Sequence, residues 1–420
     1  MSKARAERVP ERVDPPDAQA AALVVRQPIY GPAATVIAYA LLYQPAHGAA
    51  TARTAGPSEA TLRMVADAAL EIGLDRLAGT LPVHIKYPRA LVVARTSPAL
   101  LAERIVIEVS EELPGDPALI DGVRALRSLG HHIVLDDYRP HLADSALLEA
   151  VDMVKLDVSA ASPEALARLA PELIGRGLRL IAANVRTIEQ FEHCAALGFA
   201  GFQGDFLQRP QSFAAQRVPT SRMATLRLIA TLQDEHYPVD EVERLVSQDV
   251  SLSYRVLRCI NSSYYNLPRK VDSIRQGIVI LGLERLRQLC TLAALQGLDN
   301  RPPSLFVTAM ARARMCEQLG RLGGDTQTGP YFITGLFSML DVLTGLPIAR
   351  LVEELPLAPE VVRALVAEEG TLGSALQCAR AYERAAWQQI DHANLAPELI
   401  RAAYVDAVFW AEEAQATLSA

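Results

Sequence analysis

Several short apolar segments of this chain carry acids at or near their ends. Glu108 lies in RIVIEVS (104–110), with Glu111 three residues on. Asp136 and Asp137 close HIVLDD (132–137). Lys155 and Asp157 sit in VDMVKLDV (151–158), and GFQG (201–204) carries Gln203. Converging carboxylates suit magnesium or manganese, hard cations that take oxygen ligands. Two such ions roughly 3.5–4 Å apart activate water and clamp a phosphodiester. A lone strand-end acid is as readily a solvated group or a helix cap. Four acids on consecutive units make a more specific pattern.

The elements that would position these acids alternate. Between residues 23 and 210, apolar runs at 36–43, 83–87, 104–110, 132–137, 151–158, 178–184 and 201–204 read as strands. Most are nearly continuous in Val, Ile and Leu, as strands buried on both faces are. Helical segments separate them. Asp116-Pro117 and Ser162-Pro163 are N-cap and first-turn pairs, Gly130 closes one helix, and Thr187 with Gln190 fits a capping box. The order predicts a parallel sheet with crossover helices. Polar residues at strand C-termini favour a TIM-like α/β barrel over a doubly wound sheet. No Gly-rich dinucleotide or phosphate loop is present.

Composition narrows the function. The 420 residues are 50% hydrophobic, with a formal charge of −7. That length suits about three domains, or two if one is a barrel. No long basic run argues for nucleic acid. The 5 cysteines are scattered without a CxxC pair, and the 8 histidines form no metal-ligand motif. Reduced buried thiols and surface or half-buried histidines are expected, in a cytoplasmic protein. No apolar run nears the ~20 residues of a membrane span. Residues 1–22 read as a flexible tail without a signal core.

The first half resembles the EAL-type cyclic di-GMP phosphodiesterases. The motifs carrying the resemblance are RQPIYGP (26–32), AYALLYQ (38–44), IKYPRAL (85–91), IEVSE (107–111), LDDYRP (135–140), VKLDVS (154–159), IAANVRT (181–187) and FQGDFLQRP (202–210). The resemblance implies a metal-binding Glu at Ala40, a phosphate-contacting Arg at Gln44, a metal-binding Asn at Lys86, and acids at Ala183 and Arg186. Glu108, Glu111, Asp136, Asp137, Lys155, Asp157 and Gln203 are retained. If these positions converge, the exchanges make the mouth about four charge units more positive, which repels a divalent cation. Lys86 and Arg186 are expected to neutralise Asp136, Asp137 and Glu108 directly, so that salt bridges stand where metals would. No metal and no cofactor are expected.

After QRPQSFAAQRVP (208–219) the pattern turns helical. Asp249–Ser262 (DVSLSYRVLRCINS) and Ser273–Gly282 (SIRQGIVILG) resemble the HDOD domain, an all-α module related to HD hydrolases. In ITGLFSMLDVLTG (333–345), Ser338 and Met339 stand where the resemblance implies a His-Asp metal pair; Asp341 is nearby. Asn261-Ser262-Ser263 reads as a helix-ending turn, with Asn tolerant of left-handed geometry. Tyr264 and Tyr265 are candidate contact residues.

The domains expected are a tail at 1–22, a degenerate EAL domain at 23–211 and an HDOD domain at 212–420. The function expected is a non-catalytic regulator in a cyclic di-GMP-related bacterial pathway. It would act through contacts with other signalling proteins, mainly at the HDOD domain, with a homodimer left open and neither nucleic acid nor membrane as partner. The alternatives are a sensor that binds cyclic di-GMP weakly without hydrolysis, and an active phosphodiesterase.

Overall fold

The apolar runs of the first half close into a barrel whose strands follow sequence order, β1 to β8. A computed structural model describes residues 23–44, 74–97, 102–110, 115–138, 145–159, 161–208, 220–232, 238–261, 267, 269–295 and 302–419. The strands are β1 (Leu23–Tyr30), β2 (Val36–Gln44), β3 (Val83–Lys86), β4 (Ile105–Ser110), β5 (His132–Asp136), β6 (Met153–Asp157), β7 (Arg179–Val185) and β8 (Gly201–Gly204). From β2 to β8 every pairing is parallel. The expected barrel is present. The tail at 1–22, Glu111, Tyr264 and Tyr265 lie outside the described residues, as does the expected boundary at 211–212.

One strand was not foreseen. β1 runs antiparallel to both neighbours, β2 and β8. Its sequence, LVVRQPIY, breaks the apolar run with Arg26, Gln27 and Pro28. Proline removes a ladder donor, which normally argues against a strand with neighbours on both sides. Here β1 meets β8 only through Ile29–Gln203 and Tyr30–Phe202, so the missing donor can be spared. At the closing seam, a Cβ added to Gly204 would lie 2.0 Å from the Val185 carbonyl oxygen. Glycine alone lets β7 and β8 approach that closely.

The helices around the barrel are α1 (Leu74–Ala78), α2 (Arg89–Val93), α3 (Pro117–Ser128), α4 (Ser145–Ala150), α5 (Pro163–Gly175) and α6 (Ile188–Ala196). Their starts follow the sequence signals. Asp116 accepts from Ala118 N and Leu119 N, Ser162 from Ala165 N, and Thr187 from Gln190 N. Gln190 reaches back to Arg186 N, one residue earlier than the usual capping box. Inside the barrel, Ile29, Ala38, Ala40, Val106, Val134, Met153 and Ile181 form an apolar plug.

The second half contains α7 (Thr220–Leu232), α8 (Val239–Gln248), α9 (Val250–Ile260), α10 (Ile274–Leu281), α11 (Leu283–Leu295) and α12 (Pro303–Leu322). These are followed by α13 (Gly329–Phe337), α14 (Leu340–Thr344), α15 (Ile348–Glu354), α16 (Pro359–Ala367), α17 (Gly370–Glu383) and α18 (Pro397–Ser419). Asn261 corrects an expectation. Its φ is −84°, so Asn261 itself is not left-handed. Instead its carboxamide donates to Leu257 O and Val271 O and accepts from Val271 N, tying the end of α9 to the entry of α10. No helix among the described residues is long and apolar enough to cross a membrane.

The two halves are clasped at β1. The buried Arg26 guanidinium donates to Leu77 O at 2.6 Å and to Glu412 Oε1 on α18 at 2.6 Å. It lies 4.2 Å from the Tyr39 ring centroid, and Tyr39 donates to the same Glu412 oxygen. Arg26 N donates to the Tyr404 hydroxyl, and the Tyr382 hydroxyl donates to Val24 O. Truncating one member of a buried pair leaves the other uncompensated, at a cost of about 3–5 kcal/mol. Glu412 is half-exposed, so Arg26→Ala is expected at the low end, about 3 kcal/mol, measured by urea unfolding. A change under about 0.5 kcal/mol, typical of surface sites, would mean the clasp is not structural.

Candidate functional site

The parallel strands aim alternate side chains at one mouth. Lys86 ends β3, Asp136 ends β5 and Asp157 ends β6, while Glu108 and Lys155 lie one inward position deeper. Ala40, Lys86, Glu108, Asp136, Asp137, Lys155, Asp157, Ala183, Arg186 and Gln203 all line a single chamber of about 710 Å³. Gln44 ends β2 opposite Leu23, and its side chain lies outside the described residues. Ser338 and Met339 are elsewhere, buried between α13 and α14.

The deepest charges neutralise one another. Glu108 is buried, pairs with Lys155 Nζ, and bonds His84 Nδ1 at 3.0 Å. Burial alone would raise the Glu108 pKa, but the Lys155 charge and the His84 contact outweigh it and hold the carboxyl at about 2. Nearer the rim, Lys86 Nζ lies 3.0 Å from Asp136 Oδ2 and 3.5 Å from Asp137 Oδ2. Partial burial works against the Lys86 charge, yet Asp136 and then Asp137 raise its pKa above the ordinary value. The expected pairing of Lys86 with Asp136 and Asp137 is thus present. That of Lys86 or Arg186 with Glu108 is not: Lys155 takes that carboxylate, because it projects from β6 at the same depth.

Asp157 is held by another set. It accepts from Ser159 N, Ser159 Oγ and Asn184 Nδ2 at 2.7–2.8 Å. Burial opposes its charge, but the Ser159 and Asn184 bonds, with the more distant Arg186, lower its pKa. Gln203 Nε2 donates to Gln27 Oε1 at 2.9 Å. Asn184, Gln27 and His84 were not singled out from the sequence. His84 sits two residues before Lys86 in VHIKY, and that period-2 spacing was the available signal. The expectation of surface or half-buried histidines fails at His84, His131 and His392. All three are buried, the latter two beside Ser97 and Ser374 hydroxyls.

The family resemblance implies magnesium or manganese here, and the residues present do not fit it. An ammonium lies between Asp136 and Asp137. A second ammonium and an imidazole take Glu108. Ala40 and Ala183 offer no donor atom. Among the described residues no three His, Cys, Asp or Glu side chains gather as a metal cluster.

A parallel arrangement occupies the second half. Buried Arg312 forks onto Glu383, with Nε at 2.9 Å from Oε1 and Nη2 at 2.5 Å from Oε2, and its Nη1 donates to Ser338 Oγ at 2.9 Å. Arg380 pairs with Glu368 and donates to Ser338 O. Burial raises the pKa of Asp341, against the pull of the backbone and of Arg380 and Arg312. Arginine side chains hold the Ser338 turn.

Residues 218–369 match the HDOD domain family. The helical half contains an HDOD domain over those residues. Two relatives align over nearly the whole chain. The uncharacterized protein YuxH of Bacillus subtilis is 28% identical, covering 92% of this chain and 97% of its own length. The cyclic di-GMP phosphodiesterase CdgJ of Vibrio cholerae is 28% identical, covering 96% of each chain. The Klebsiella pneumoniae BlrP1 calcium and cyclic di-GMP complex resembles the barrel at 17% identity and a TM-score of 0.37, over 45% of this chain and 55% of that one. A closed barrel followed by a helical region that contains HDOD is the order read from the sequence, and it stands. The HDOD match ends at residue 369, so α17 and α18, which grip β1, lie beyond it.

Glu108 generates a pH prediction. Its folded pKa of about 2 lies below the ordinary 4.5. Its stabilisation is therefore complete above pH 4.5 and lost as pH falls toward about 2. Denaturant titrations should show the native protein losing on the order of 3 kcal/mol more than Glu108→Gln across that window. Parallel curves would refute the buried pair.

Proposed function

We propose that this protein is a non-catalytic regulator in a cyclic di-GMP-related pathway, acting through contacts of its two domains with other proteins. The single observation that carries this reading is the Lys86 ammonium between Asp136 and Asp137. A metal-dependent phosphodiesterase needs those oxygens for cations and a hydroxide nucleophile. A lysine charge there repels the ions and offers no exchangeable water. The whole-length relative named a cyclic di-GMP phosphodiesterase supplies the substrate for the test. Purified protein with cyclic di-GMP and magnesium or manganese is expected to give no linear product above a blank. Turnover at 1 per second or faster, the lower end of typical enzymes, would refute the reading.

Contacts with partners fit the apolar exposure of the HDOD domain. Val279 on α10 is 79% exposed and Tyr254 on α9 is 63% exposed. A second reading, a sensor that binds the nucleotide without hydrolysis, is favoured by the size of the chamber. About 710 Å³ falls within the usual range for small-molecule sites, about 300–1,000 Å³.

A further inference from the structure

The chamber has two owners. Its floor is the barrel mouth, but its opposite wall is α12, α17 and α18, which bring Thr308, Ala311, Met315 and Val408 to the same space. Floor and wall differ in chemistry. The wall sets Val307, Ala311, Met315 and Val408 beside polar Ser304, Thr308, Glu383 and Arg384. The floor carries carboxamides at Gln27, Asn184 and Gln203, able to donate and accept along the edge of a flat polar ring.

The charges of the chamber sort equally clearly. Arg26, Lys86 and Lys155 are each committed to a carboxylate. Arg186 on the floor and Arg384 at the end of α17 are exposed, and among the described residues neither makes an ion pair within 4 Å. Guanidinium groups left unpaired on both sides of one cavity suit a phosphate-bearing ligand. Phosphate for the arginines, a base edge for the carboxamides and a ring face for Ala311, Met315 and Val408 together describe a nucleotide.

We propose that the helical half supplies the second wall of a nucleotide site at the barrel mouth, with Arg384 as its anion contact and Thr308 on α12 against the ligand. This inference rests on the sensor reading above and goes further, because it makes the site incomplete without the helical half. Binding is then linked to the docking of the two halves. A ligand held by both walls stabilises the clasp, and a loosened clasp weakens the ligand by the same factor.

The test is calorimetric titration of the full chain with cyclic di-GMP, and with inorganic phosphate as a second probe. Arg384→Ala removes an exposed side chain, and Thr308→Trp fills the wall. Each is expected to weaken cyclic di-GMP binding about tenfold or more, and Arg26→Ala, which loosens the clasp, to weaken it as well. If Thr308→Trp does not fold, Arg384→Ala decides alone. Unchanged affinity in Arg384→Ala overturns the shared wall while leaving a barrel-only sensor intact. Phosphate binding as tightly as the nucleotide reduces the site to an anion hole and overturns it too. No heat from the native protein with either probe removes the sensor reading and this inference with it.

Discussion

A single buried guanidinium sets how the halves of this molecule meet. Arg26 has little access to water, so each of its donors must find an acceptor within the protein. One acceptor is a carbonyl of the barrel's own first helix, and the other is a carboxylate 386 positions later in the chain. The Tyr39 ring closes one face of the group. Because these partners come from β1, β2, α1 and α18, the guanidinium can be satisfied only in one docking arrangement. Undocking would expose Arg26 and Tyr39 together and leave the Tyr382 and Tyr404 hydroxyls without their β1 partners.

The mouth of the barrel obeys the same rule of internal satisfaction. Three layers of charge lie one above another: Glu108 with Lys155 and His84, Lys86 with Asp136 and Asp137, and Asp157 with Ser159 and Asn184. Buried carboxylates are costly unless paired, and here Lys155 reaches Glu108 from β6 and Lys86 reaches Asp136 from β3, each past one intervening strand. The parallel register makes this possible, setting Lys86 opposite Glu108 and Asp157 opposite Ala183.

Much of this was legible in the chain. Val/Ile/Leu runs marked seven strands because burial on both faces leaves a local imprint. Asp116, Ser162 and Thr187 marked helix starts because caps act within three residues. β1 was missed because Arg26, Gln27 and Pro28 interrupt its apolar character, and their reasons lie in distant partners. The pairing of Glu108 was assigned to the wrong lysine because depth along a strand is not visible until the register is known. The Arg26–Glu412 contact and the fork of Arg312 onto Glu383 left no local trace. They join residues 386 and 71 positions apart.

Both halves share one feature: Glu108, Asp136 and Asp137 in the barrel and Glu383 beside the Ser338 turn are balanced by a lysine or arginine of the chain itself. Lys86, Lys155 and Arg312 are made with the polypeptide. They cannot be withdrawn by a chelator, lost in metal starvation or exchanged for a competing ion. A protein whose central cations are covalent reaches its final charge balance as soon as it folds.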